Sequence, residues 1–169
     1  MVHLNLPEKI ETERLLLQRL RYEDAEEIFY TYASKPEATK YLSWPMHKRI
    51  EDTRGFIRYA IDAWNLDLDY SFSIRLKQNN KFIGSFGVIH ENGRIQFGYV
   101  LTPTEWGRGY ATEAVKKMME VLHSLDWVKG ICKLMLHTLD AHTLYTKFGY
   151  APPVYPDRYL EKMQKQHWQ

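Results

Sequence analysis

The chain has 169 residues, 44% of them hydrophobic and 14% aromatic, with only 9 glycines and 7 prolines, which supplies a core and excludes a disordered or low-complexity chain. Lys and Arg number 23 against 21 Asp and Glu, a formal charge of +2 with no run of like charges, and this disfavours a dedicated nucleic-acid binder. The one cysteine, Cys132, makes neither an internal disulfide nor a thiolate metal cluster, which fits a reducing compartment. The segment MVHLNLPEKIETERLLL carries acids and no signal-type apolar core, and no stretch approaches the roughly 20 apolar residues of a membrane span. One domain over 1–169, soluble, cytoplasmic and without a membrane partner, is the expectation.

In chain order, Arg14 to Leu20 reads as a strand and Glu23 to Tyr32 as a helix with Ala25, Ile28, Phe29 and Tyr32 near one face. Phe56, Ile57, Ala60, Ile61 and Trp64 recur at helical spacing within a second helix over Ile50 to Trp64. A three-strand antiparallel meander follows. Phe72, Ile74 and Leu76 alternate with Ser71, Ser73, Arg75 and Lys77, Gln78-Asn79-Asn80 turns the chain, and Lys81 to Ile89 is the next strand. Glu91-Asn92-Gly93 makes a hairpin into a strand over Arg94 to Leu101. The period then changes to 3.6, with Ala111, Ala114, Val115, Met118, Met119, Leu122 and Leu125 along one side of a helix. Ile131 to Leu136 reads as a buried strand and Ala141 to Phe148 as a short helix stopped by Gly149. Tyr150 to Tyr159 reads as an extended, proline-containing end.

The stretch Trp106-Gly107-Arg108-Gly109-Tyr110-Ala111-Thr112-Glu113-Ala114 lies between a strand and a helix and suits an anion. Glycines allow positive φ, small residues admit a phosphate to the unpaired N–H groups of the first helical turn, and the helix dipole favours negative charge there. Arg108 adds a cation for a charge-assisted bond. The stretch lacks a Gly-Lys-Ser/Thr ending, and Thr112 stands where a dinucleotide loop needs its third small residue. On the glycines alone an ordinary tight turn, with Thr112 near the helix cap, explains it equally well.

WGRGYATEA after the strand QFGYVLTP resembles the pyrophosphate loop of the GNAT superfamily of N-acetyltransferases, with its Gln/Arg-x-x-Gly-x-Gly/Ala signature. Arg108, Gly109 and Ala111 match, Tyr110 fills the free position, and Trp106 stands where Gln or Arg is expected. ETERLLLQRL, the GYV strand and GYATEA resemble the ribosomal-protein-alanine N-acetyltransferase branch. Thr138 to Tyr150 instead resembles other small acetyltransferases with Asp-Ala-His-x-Leu-Tyr-x-Lys-Phe-Gly-Phe, so the two halves point to different branches and leave the acceptor open. The resemblance implies an α/β GNAT fold: a central mixed, mostly antiparallel sheet, parted near its middle and flanked by helices. It also implies acetyl-CoA as co-substrate, with the backbone amides of Arg108, Gly109, Tyr110, Ala111 and Thr112 around its diphosphate. Those of Val100 and Leu101 would hold the pantetheine arm and polarise the thioester carbonyl.

Transfer to an amine needs an unprotonated nucleophile: an alkyl ammonium of pKa near 10.4 is about one part in a thousand neutral at pH 7.4, a deficit of roughly 4 kcal/mol, whereas an N-terminal amine needs far less help. By the same resemblance, Tyr145 would protonate the leaving thiolate; its alternative is packing between helix and sheet. Gln96 stands where the alanine N-acetyltransferase branch has Glu and is no base at neutral pH. His142, Asp140, His90 and Glu91 are the candidate bases, His142 being preferred for its intrinsic pKa near 6.5 and its place beside the motif. His137 and His142 lack further convergent ligands, and no metal is predicted. Tyr41, Trp44, Pro45 and Met46, with Trp64 and Tyr70, are expected to make an apolar acceptor lip or else core. The predicted activity is N-acetyl transfer from acetyl-CoA to a primary amine on a protein N-terminus, polyamine or small molecule, with a homodimer left open. The rivals are a catalytically idle CoA-binding regulatory module and a different nucleotide-binding α/β enzyme.

Overall fold

The computed structural model describes residues 3–40, 42, 44–91, 94–129, 135 and 142–158. The chain divides into two compact units, Met1–Ile131 and Cys132–Gln169.

The first unit is built on five strands, β1 (Lys9–Glu11), β2 (Leu15–Arg19), β3 (Asp69–Leu76), β4 (Phe82–Glu91) and β5 (Arg94–Leu101), lying side by side in chain order. Every described pairing is antiparallel. The meander expected between residues 71 and 101 is present, and β4 and β5 pair as far as Glu91 opposite Arg94; Asn92 and Gly93 lie outside the described residues. The strand β1 was not read from the sequence, because three residues show too little of a period-two pattern.

Alternation misleads in β3. The alternation puts Ser71 and Ser73 on a polar face, yet both are buried, as are Tyr70, Phe72 and Ile74. Both faces of this central strand are covered. On the face of Ser85 and Val100, which pair across β4 and β5, the Tyr32 hydroxyl donates to Ser85 Oγ at 2.9 Å, and Tyr32, Ile57, Ala60 and Val100 share one apolar cluster.

The helix expected over 23–32 is a composite: a 3-10 turn Tyr22–Asp24, α1 (Ala25–Ile28), then a π-helical turn Phe29–Ala33. The widened turn shows in the bond from the Ser34 N–H to the Phe29 carbonyl, 3.1 Å, which the Ser34 hydroxyl also approaches to 2.7 Å. Helix α2 (Pro36–Thr39) follows, and α3 (Ile50–Asn65) matches its predicted extent, its start held by the Asp52 carboxylate, which accepts the Lys48 and Arg49 N–H groups. Helix α4 (Tyr110–Ser124) buries Ala114, Val115, Met118, Met119 and Leu122, as its period predicts, and α5 (Asp126–Lys129) comes after it. No helix among the described residues is long and apolar enough to cross a membrane.

In the second unit, the helix expected over 141–148 is α6 (His142–Tyr145) continued by a 3-10 turn Thr146–Phe148 and closed by Gly149 at φ +82°. Residues 150–158 are irregular apart from a 3-10 turn Pro156–Arg158. Apart from Met135, the strand expected at 131–136 lies outside the described residues.

Candidate active site

The segment between β5 and α4 is shaped by two glycines in the left-handed region, Gly107 at φ +74° and Gly109 at φ +78°. Gly109 caps α4 without a side-chain bond, and the first intrahelical bond from it is the Glu113 N–H to the Gly109 carbonyl, 3.0 Å. The N–H groups of Tyr110, Ala111 and Thr112 therefore have no acceptor inside the helix. Among the described residues none accepts a bond from the N–H groups of residues 107–112. A β-carbon on Gly107 would meet nothing within 4 Å, so this side of the turn is open. Unpaired amides at the positive end of a 15-residue helix are chemically suited to an anion such as a phosphate or diphosphate.

The turn is fastened from below by residues that sequence reasoning did not single out. The Arg14 guanidinium donates from Nη1 to the Arg108 carbonyl at 3.0 Å and from Nε to Glu113 Oε2 at 2.6 Å, while lying 4.6 Å from the centre of the Tyr110 ring. The Arg14 backbone N–H and the Thr12 hydroxyl both donate to Glu113 Oε1. Burial works to raise the Glu113 pKa, but the Thr12 hydroxyl and the Arg14 amide and guanidinium outweigh it and hold the carboxyl below its usual range. ETERLLLQRL and GYATEA contain both partners, yet nothing in either segment shows that they meet across 99 positions.

Upstream, Trp106 stands where Gln or Arg was expected, and its indole N–H donates to the Leu101 carbonyl at 2.8 Å, tying the turn to the end of β5. The Thr102 N–H donates to the Ile83 carbonyl, which makes Thr102 and Ile83 a hydrogen-bonded pair. Antiparallel alternation then directs the Val100 N–H toward Ser85 on β4 and the Leu101 N–H away from β4. Gly84 faces Leu101, and a β-carbon there would lie 2.0 Å from the Val100 carbonyl oxygen, so the close approach of β4 and β5 at this point requires glycine. Beside the turn, the buried Glu105 carboxylate takes Lys81 Nζ on Oε1 at 2.8 Å and faces Arg108 Nε from Oε2 at 3.4 Å.

Two candidate bases fall away from this region. His90 lies six residues along β4 from Gly84, about 20 Å at 3.4 Å per residue. There its Nδ1 is 3.8 Å from Asp67 Oδ2, which His3 Nδ1 approaches to 3.0 Å. Glu91 follows His90 on β4. Asp140 and His137 lie outside the described residues, as does Tyr41. Among the described residues no group of three or more His, Cys, Asp or Glu could hold a metal ion.

The expected acceptor lip divides. Trp64 packs edge-on against Tyr70 and Phe72, 4.9 Å between ring centres in each case, and is part of the core boundary. Trp44 lies half-buried against the cluster that contains Val100, with His47 at 4.9 Å and Phe56 at 6.4 Å, making an aromatic wall. His47 Nδ1 is 2.8 Å from the Thr53 hydroxyl, and burial lowers the imidazole pKa, opposed by Asp52.

In the second unit Tyr145 is buried, its ring 6.2 Å from that of Tyr150 and its carbonyl accepting the Tyr150 N–H, while His142 is exposed.

A meander whose last strand runs through a two-glycine turn into a helix with an open N-terminus describes an α/β domain with a turn suited to an anion. The Acetyltransferase (GNAT) domain model matches residues 14–150, and the chain belongs to that family. It is 35% identical over 116 residues to an uncharacterized N-acetyltransferase, p20, of Bacillus licheniformis; the match takes in 67% of this chain and 65% of that one, so the chain spans just under two-thirds of the relative's length. A GNAT-family acetyltransferase structure from Bacillus anthracis matches with a TM-score of 0.59 at 26% identity, over 68% of this chain and 66% of that one. RimL, a ribosomal L7/L12 alpha-N-protein acetyltransferase in complex with coenzyme A, matches with a TM-score of 0.60 over 67% and 66% of the two chains; at 20% identity the likeness is one of fold.

Proposed function

We propose that this chain is an acetyl-CoA-dependent N-acetyltransferase, both units serving one domain, that moves an acetyl group to a primary amine within a ternary complex. The observation that carries the reading is the open first turn of α4, with Gly107 and Gly109 at positive φ and their neighbouring N–H groups turned to no acceptor among the described residues. These groups fit a diphosphate: the amides donate, Arg108 and Lys81 supply nearby positive charge, and no side chain fills the space over Gly107. Bound acetyl-CoA supplies the acetyl group as a thioester, already activated toward an amine.

In this reading the Leu101 N–H, directed away from β4, donates to the thioester carbonyl oxygen as negative charge gathers on it, a contribution of about 2.7 to 4 kcal/mol in comparable oxyanion sites. Val100, whose N–H serves the sheet, instead sets the strand position. The Tyr145 hydroxyl hands its proton to the departing sulfur, a modest task because a thiolate of pKa near 8.5 is already a fair leaving group. His142 is the proposed base for the incoming ammonium. The wall of Trp44, His47 and Phe56 offers an apolar face to whatever flanks the acceptor amine, whether a protein N-terminus, a polyamine or a small-molecule amine.

The test is calorimetric titration of the full chain with CoA, followed by turnover of acetyl-CoA against a panel of peptides, polyamines and small amines. Saturable CoA binding and acetylation of at least one amine are expected. Binding without transfer to any amine leaves the idle module standing, and no binding removes both.

A further inference from the structure

We propose that Arg14 is a positioning residue for the diphosphate turn, and that it acts by neutralising Glu113, a carboxylate that would otherwise repel the anion. The inference rests on the acetyl-CoA reading above and names a control on that same site.

The turn at the start of α4 has a structural contradiction. A helix N-terminus that is to receive a doubly charged diphosphate carries, one turn in, the acid Glu113. Its side chain is 17% exposed, so water screens it poorly. Left unpaired, that charge would oppose the helix dipole at the place where the dipole does its binding. Instead every polar contact on the Glu113 carboxylate among the described residues comes from one short stretch of the N-terminal segment: Thr12 Oγ1 and the Arg14 N–H on Oε1, and Arg14 Nε on Oε2 at 2.6 Å.

The same guanidinium does a second thing. Through Nη1 it holds the Arg108 carbonyl at 3.0 Å, and its Cζ lies over the Tyr110 ring, 4.6 Å from the centre. Arg108 and Tyr110 flank Gly109, so one side chain holds the peptide group before the left-handed cap and lies over the ring that follows it. Only a planar fork with several donors reaches a carboxylate and a carbonyl at once while stacking on an aromatic face; lysine offers the charge without that geometry. Directing the Arg108 carbonyl toward Arg14 leaves the N–H groups of the turn for the anion.

The experiment measures CoA affinity of the full chain by calorimetry at low and physiological salt for the parent, Arg14→Gln, Arg14→Lys, Glu113→Gln and the Arg14→Gln/Glu113→Gln pair, with the amine KM measured alongside. Arg14→Gln is expected to weaken CoA binding by about tenfold, with the deficit shrinking as salt rises and the amine KM unmoved. Arg14→Lys falls between it and the parent. The double variant recovers most of the loss, because the charge that Arg14 masks is gone. A double variant no tighter than Arg14→Gln, or an Arg14→Gln that matches the parent, overturns the inference. Should Arg14→Gln fail to fold, Glu113→Gln decides: affinity at or above the parent's supports masking, and a tenfold loss overturns it. A parent that binds no CoA removes the acetyl-CoA reading and this inference with it, whereas a binding parent with indifferent variants overturns the inference alone.

Discussion

Replacing Gly107 by Asn and by Asp separates the shape of the turn from its electrostatics. The residue sits at φ +74° with nothing within 4 Å of its would-be β-carbon, so either substitution meets only backbone strain. For an L-residue in the left-handed region that strain is about 1 to 2 kcal/mol, and Asn and Asp are the side chains that tolerate it best. The two variants are isosteric and differ by one charge. If the α4 amides hold a diphosphate, the new carboxylate stands about 6 Å from a phosphate charge, a repulsion of about 2.8 kcal/mol at an effective dielectric constant near 20, or about a hundredfold in affinity. At physiological salt the Debye length of about 8 Å halves this, leaving about tenfold. Calorimetric CoA titrations of both variants at two ionic strengths, with thermal melts of the unliganded chains, read out each part. The expected result is equal melting shifts, near-parental CoA affinity for Gly107→Asn, and a salt-sensitive loss for Gly107→Asp. Equal affinities for the two would mean that no phosphate lies over this turn.

Three further outcomes are expected. Tyr145→Phe lowers kcat while leaving the CoA dissociation constant unchanged; steady-state kinetics checks this, and an unaltered kcat assigns the residue to packing against Tyr150. Gly84→Ala forces a methyl to within 2.0 Å of the Val100 carbonyl oxygen and must prise β4 from β5, at a cost of about 2 kcal/mol or more in urea unfolding, with weakened CoA binding following the displaced Leu101. For His47, burial lowers the folded pKa below the 6.5 to which unfolding returns it, so below about pH 6.5 the unfolded chain binds more protons and stability falls with acidification. His47→Asn flattens that part of a melting-temperature profile between pH 7.5 and 5.5, and a profile identical to the parent's assigns the acid loss to other groups.

Much of the scaffold is present in local pattern. The Asn-Gly hairpin and alternating Phe72, Ile74 and Leu76 specify strands in sequential order, and the 3.6-residue spacing from Ala114 to Leu122 specifies a helix that must bury one side. The glycine pair at 107 and 109 marks a left-handed turn, because few other residues adopt that backbone without strain. These features depend on neighbours a few residues apart, and a sequence contains them outright.

What tertiary structure alone decided depends on groups far apart in the chain. Ser71 and Ser73 are buried because both faces of β3 are covered, which alternation cannot reveal. The direction of the Leu101 N–H follows from strand pairing at Thr102 and Ile83, a matter of register rather than residue type. His90 has the chemistry of a base but stands with Asp67 at the far end of β4. Arg14, Thr12 and Glu113 are ordinary surface-type residues until folding brings positions 99 apart into contact and covers most of the Glu113 carboxylate, and electrostatic strength depends on that burial.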